Sequence, residues 1–146
     1  MMTHSDDTFN LNSIDDFEIS ALPQNAGLAR DRVKTVAMRA GVSADILDEI
    51  IVAFGEAVTN AILYGSSGPK ASVRVRCYLE PDGKMFTVEV SDRGRGFDPD
   101  HVRQAQSDDA LGGRGLRLMR ALTDRLLLYY DNGGMNVRLS KSISRE

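Results

Sequence analysis

Hydrophobic and polar positions alternate first with strand spacing and then with helical spacing in the first half of the chain. Residues 16–22 alternate around Phe17 and Ile19, which predicts a short strand. A helical pattern follows from residue 23 to about residue 40, where Gly41 ends it. The apolar residues that share one side of this helix are Leu28, Val33, Val36 and Ala37.

A second helical pattern covers residues 44 to about 64, and it is richer in apolar residues than the first. Ser43 is suited to the N-cap position, and Asp45 in the first turn complements the helix dipole. Residues 65–69 (Gly-Ser-Ser-Gly-Pro) end the helix.

The second half of the chain is predicted to consist mainly of strands. Residues 71–79 and 85–90 flank a turn at residues 81–83, and residues 126–130 and 135–139 flank another at 132–134. A helix is predicted between these hairpins, over residues 116–122. We expect a long loop over residues 97–113, in which Asp98-Pro99 starts a short turn of helix; such a loop is either a lid over a ligand or disordered.

This order of elements predicts an α+β fold. We expect a two-layer sandwich in which an antiparallel or mixed sheet is covered on one face by helices. We predict one domain over residues 13–146 after a flexible tail at residues 1–12.

Composition and charge exclude several classes of function. The net charge of −3 gives no electrostatic footprint for nucleic-acid binding, and no apolar run approaches a membrane span. Cys77 is the only cysteine, and His4 and His101 are the only histidines, so a cysteine metal cluster or a Ser/His/Asp triad has few residues to use. We expect a cytoplasmic protein.

Glu56 and Asn60 stand four residues apart in the second helix, about 40° from each other around its axis. They lie opposite the broad apolar face, and their neighbours there are Val52, Ala53, Thr59 and Leu63. A polar face turned to water is one interpretation. A helix that is apolar nearly all round is usually buried, however, and a buried carboxylate needs partners. This reasoning favours a functional Glu56.

Two glycine-rich segments follow along the chain. The first comes directly after a strand and contains Asp92, Gly94 and Gly96. It is either an ordinary turn or a binding site, in which the Asp92 carboxylate is an acceptor and the glycines let a flat ring approach the backbone closely. Gly112, Gly113 and Gly115 precede a helix start, whose N–H groups suit phosphate oxygens. Arg114 and Arg117 either add positive charge there or are simply solvated. No Walker A sequence is present.

The order of these parts resembles the GHKL ATP-binding superfamily, from about residue 16 to residue 141. The segments 56–61 (Glu-Ala-Val-Thr-Asn-Ala) and 113–116 (Gly-Arg-Gly-Leu) are most similar to those of the bacterial anti-sigma-factor serine kinases. The resemblance implies a Bergerat-type fold, with residues 97–113 as an ATP lid. It also implies ATP and Mg²⁺ as ligands.

The resemblance assigns a role to each motif residue. Glu56 is expected to be the general base and Asn60 the Mg²⁺ ligand. Asp92 is expected to accept a hydrogen bond from the adenine amino group, with Gly94 and Gly96 against the base. The lid and helix-start residues expected to contact the nucleotide are Gly113, Arg114, Gly115 and Leu116.

The resemblance also implies partners. The first hypothesis is a protein serine kinase that phosphorylates an anti-anti-sigma, STAS-like protein and sequesters a sigma factor. The alternative is a non-catalytic, nucleotide-gated binding module. A homodimer through the first strand or first helix is expected. Tyr64 and Met135 depart from the family pattern, which often has histidine and threonine there.

Overall fold

The computed structural model describes residues 13–65, 70–92, 114–131 and 134–145. Its helices are α1 (Asn25–Arg39), α2 (Ala44–Asn60) and α3 (Arg114–Leu122), and α2 runs on into a π-helical turn (Ala61–Gly65). Its strands are β1 (Ser13–Ser20), β2 (Ser72–Leu79), β3 (Met85–Asp92), β4 (Arg125–Asp131) and β5 (Gly134–Ser142). The predicted order of helices and strands is confirmed.

The five strands form one sheet in the order β1-β2-β3-β5-β4, and every neighbouring pair is antiparallel. The sheet is therefore antiparallel in the described ranges, which decides between the two arrangements left open above. The three helices pack on one face, where alternate residues of the central strands enter the core, including Val75, Val88 and Val137. The predicted two-layer α+β fold is confirmed, whereas the lid segment, residues 97–113, and the tail lie outside the described residues.

The first strand begins three residues earlier and ends two residues earlier than predicted. The register against β2 shifts between Ser13 and Asp15. Ile14 lies an odd number of residues before Phe17 and Ile19 and is 46% exposed, so alternation around those two residues could not reveal the strand's start. Leu22 is outside the strand, and its backbone N–H donates to the Ser20 carbonyl at 2.7 Å.

The ends of α1 and α2 follow the predicted signals, but the structure corrects the role of the Ser43 side chain and the buried face of α1. Gly41 has a φ of 94°, in the left-handed region that favours glycine. Ser43 holds the N-cap position of α2, but its hydroxyl donates to the Asp45 carboxylate at 2.8 Å and makes no side-chain cap. Leu28 is 65% exposed, so the prediction that it shares the apolar side of this helix is wrong. The buried stripe of α1 consists of Ala26, Ala29, Val33 and Ala37.

The other face of the sheet carries a buried polar network. Glu89 of β3 is fully buried and lies between Arg76 of β2 and Arg138 of β5 in the strand register. Its carboxylate accepts hydrogen bonds from both guanidinium groups and, at 2.6 Å, from the Tyr129 hydroxyl. These partners compensate the desolvation of a charge in the middle strand.

No helix in the described ranges is long and apolar enough to cross a membrane.

Candidate functional site

Helix α2, which carries Glu56 and Asn60, is the middle helix of its layer. It contacts α1 on one side and α3 on the other, and its apolar stripe packs on the sheet. The Lys141 ammonium of β5 pairs with the Glu49 carboxylate at 3.0 Å, and the Ser43 N–H donates to the Ile143 carbonyl at 2.9 Å. These contacts hold the first half of α2 to the sheet.

The polar side of α2 is only partly buried. Ala53 is buried, but Val52 and Leu63 are 47% and 53% exposed, so the expectation of a helix buried nearly all round is wrong. The physical reason is that α1 and α3 flank α2 and leave its outer ridge open. Glu56 and Asn60 are half-buried on the side of that ridge that faces α3.

The π-helical turn begins directly after Asn60, where a continuous α-helix to residue 64 was predicted. Such turns occur often at functional sites, because the extra residue redirects the following side chains. Here Ile62 is buried while Leu63 and Tyr64 are exposed. The exposed Tyr64 is the residue that stands where many relatives of the proposed family have histidine.

The first turn of α3 lies against the polar pair. A Cβ atom built on Gly115 would be 3.0 Å from Glu56 Oε1 and 3.5 Å from Asn60 Nδ2. Arg114 at the helix start is exposed, and Leu116 is buried in the core. The acid and amide predicted from α2 and the glycine predicted from the helix start therefore meet.

A narrow apolar cavity joins Asn60 to Asp92. Its wall has these two polar residues, and its other lining residues are Ala57, Ala61, Val90, Met119, Leu128, Met135 and Val137. Asp92 is 5% exposed at the end of β3, on the face that the helices cover. An apolar lining with one carboxylate has the chemistry that an adenine ring needs, because its amino group requires a hydrogen-bond acceptor.

Asn60 belongs to both halves of the site, since it lines the cavity and contacts the Gly115 position. Its Nδ2 atom is buried and has no hydrogen-bond partner among the described residues. Buried amides normally have partners, so this group fits a site that a ligand completes. The oxygen of the same amide is a hard ligand of the kind that Mg²⁺ accepts. Within the described ranges, no three acidic, histidine or cysteine residues cluster to hold a metal.

Gly134 is a site residue that the motif analysis did not assign, and Met135 was noted there only as a departure from the family pattern. A Cβ on Gly134 would overlap the backbone carbonyl oxygen of Asp92, so the close approach of β5 to the end of β3 requires glycine. Met135, 5% exposed, packs into the cavity. The signal in the sequence was the pair of glycines before Met135.

Three of the predicted nucleotide contacts, Gly94, Gly96 and Gly113, lie outside the described residues. Their roles remain predictions, as do the roles assigned to the residues that the structure does describe.

Comparison of this chain with known protein families gives a match. The model of the histidine kinase-like ATPase domain matches residues 19–141. The chain belongs to this family. The resemblance to GHKL proteins is therefore confirmed.

Within the histidine kinase-like ATPase family, this chain is similar to serine-protein kinases. The serine-protein kinase RsbW of Listeria monocytogenes serovar 1/2a is 31% identical over 138 residues, which cover 88% of this chain and 87% of that protein. Its name agrees with the predicted enzyme class, a protein serine/threonine kinase.

Solved structures agree on the fold. The RsbU and RsbW domains of a Mycobacterium tuberculosis protein superpose with a TM-score of 0.64 at 21% identity, over 90% of this chain and 33% of that one. A chain of the SiaB-SiaC complex from Pseudomonas aeruginosa gives a TM-score of 0.60 at 11% identity, over 91% of this chain and 92% of that one.

Proposed function

We propose that the protein is an ATP-dependent serine kinase that phosphorylates a STAS-like anti-anti-sigma partner in a cytoplasmic partner-switching circuit. The observation that carries the proposal is the position of Asn60, between the Asp92 cavity and the Glu56 carboxylate. A nucleotide whose base lies against Asp92 would extend its phosphates past Asn60 toward Glu56. The relatives named as serine-protein kinases support the same activity.

The chemistry needs few groups from the protein. The partner's serine oxygen attacks the γ-phosphorus of ATP, the bond to the β,γ-bridging oxygen breaks, and ADP leaves. The Glu56 carboxylate takes the hydroxyl proton as the new bond forms. Asn60 would hold a Mg²⁺ ion, which neutralises charge on the phosphates.

The partner's serine must reach Glu56 from outside the helix layer. The outer ridge of α2 is open there, with Val52 and Leu63 exposed on either side of Glu56 along the helix. Arg30 of α1 lies across Gly55, whose Cβ position is 3.3 Å from Arg30 Cδ. The ridge therefore offers exposed apolar side chains beside the half-buried Glu56 and a basic side chain on its α1 side, a surface that a folded protein can approach.

Replacing Glu56 by Gln tests the proposal. In transfer from [γ-³²P]ATP to STAS-domain proteins purified from the same organism, E56Q should lower the rate about 100- to 10,000-fold, the usual contribution of a general base. Thermal stabilisation by MgATP should remain. E80Q, a Glu-to-Gln change at the partly exposed ion pair with Arg125, should leave the rate unchanged.

Unchanged transfer by E56Q would show that the base is assigned wrongly. The alternative is a nucleotide-gated module that sequesters a sigma factor without turnover. It predicts that the wild type transfers no phosphate to any such partner, yet binds a partner more tightly with MgATP than without it.

We also propose a homodimer, through β1 or α1. Sedimentation that shows only monomer at micromolar concentration would contradict it.

A further inference from the structure

Gly115 does not owe its identity to the backbone. It is the second residue of α3, and the glycines with positive φ in the described ranges are Gly41 and Gly83. Any L-residue can adopt a helical conformation, and glycine is disfavoured in helices relative to alanine. The reason for glycine at this position must therefore lie in what surrounds it.

The space beside Gly115 is filled by the side chains of Glu56 and Asn60. The position of an added Cβ is 3.0 Å from Glu56 Oε1, closer than nine in ten real Cβ contacts, and 4.0 Å from Glu56 Cδ. The same Cβ would be in ordinary contact with Asn60 Nδ2, at 3.5 Å. Gly27 offers a comparison, because a Cβ on this other helical glycine meets only Arg30 Nη2, at 3.7 Å.

We propose that Gly115 is a positioning residue for Glu56: its lack of a side chain lets the carboxylate lie against α3, beside Asn60. This inference rests on the proposed function of Glu56 as the base. It differs from the role that the resemblance gives Gly115, which is to let the lid fold over the phosphates. The two roles affect different measured quantities.

Alanine at residue 115 should preserve the fold while moving the carboxylate. Glu56 is only half-buried, so its carboxylate can retreat by a few tenths of an ångström without unpacking the core. Proton transfer tolerates such movement poorly, since a displacement of about 1 Å costs up to about 100-fold in rate. We expect G115A to lower kcat about tenfold and to leave the Kd for MgATP within about threefold of the wild-type value.

A double-mutant cycle isolates the contact. E56D shortens the carboxylate and withdraws it from the Cβ position, so G115A should cost less than about threefold in kcat in the E56D background. G27A should change neither kcat nor Kd. Equal costs of G115A in both backgrounds, or a raised Kd for MgATP with unchanged kcat, would overturn the proposal in favour of a phosphate role.

An NMR measurement tests the same contact without a partner protein. The ¹³Cδ resonance of Glu56, assigned by its loss in E56Q, should move in G115A and stay in place in G27A. A wild type without transfer activity would refute the kinase proposal, yet this resonance would still report the contact. An unchanged resonance in G115A would refute the positioning role even if transfer were active.

Discussion

Asp92 gives the most direct test of the nucleotide site, through the change Asp92→Asn. The side chain is 5% exposed and lies in the wall of an otherwise mostly apolar cavity. The change keeps its size but replaces one acceptor oxygen with an NH₂ donor, which would face the amino group of adenine. A hydrogen bond to a charged group contributes about 1.5–3 kcal/mol, so we expect MgATP to bind about 12- to 150-fold more weakly.

Thermal unfolding measures this loss. MgATP at about 100 times the wild-type Kd adds about 2.7 kcal/mol to the free energy of unfolding. A 30-fold weaker Kd at the same concentration leaves about 0.9 kcal/mol. For a domain of this size these values correspond to increases in Tm of about 8 °C for the wild type and about 3 °C for D92N.

A second nucleotide makes the test specific to the base. Inosine triphosphate carries a carbonyl oxygen in place of the adenine amino group, so the wild type should prefer ATP and D92N should lose that preference. Asp48→Asn, an exposed change on α2, should keep both the shift and the preference. Equal stabilisation of wild type and D92N by ATP would refute the assignment of Asp92 to adenine.

Two further predictions concern stability. Glu89→Ala leaves the guanidinium groups of Arg76 and Arg138, each 11% exposed, without their shared carboxylate. Urea unfolding should show that the free energy of unfolding falls by about 3–5 kcal/mol. Arg125→Ala, at an exposed ion pair, should lower it by less than about 1 kcal/mol, and equal losses in the two variants would mean that the network is hydrated. Burial raises the pKa of the Cys77 thiol to about 12, above its unfolded value, so the stability it contributes should be complete below about pH 9 and lost between pH 9 and pH 12. Cys77→Ala should reduce that decline in alkaline urea titrations, and rapid alkylation of the native thiol at pH 8 would contradict the burial.

Much of the fold could be predicted from the sequence because its signals are local. Apolar spacing located both long helices, and Gly41 marked a helix end through its own backbone preference. The start of β1 could not be found in this way. Its irregular register against β2 depends on pairing with residues about 60 positions away.

The candidate site shows the same division. Glu56 and Asn60 could be paired from sequence, since residues four apart share a helix face whatever surrounds the helix. Their exposure could not be predicted, because it depends on where α1 and α3 lie against α2.

By itself, the sequence determined the residue types of the site and the family to which they belong, because short motifs carry their chemistry with them. The tertiary structure decided that Asn60 joins the Asp92 cavity to Glu56, that Gly115 abuts the same carboxylate, and that Gly134 lies against the Asp92 backbone. These contacts join residues from α2, α3, β3 and β5 that are far apart along the chain. Only the packing of the helices on the sheet brings them within contact distance.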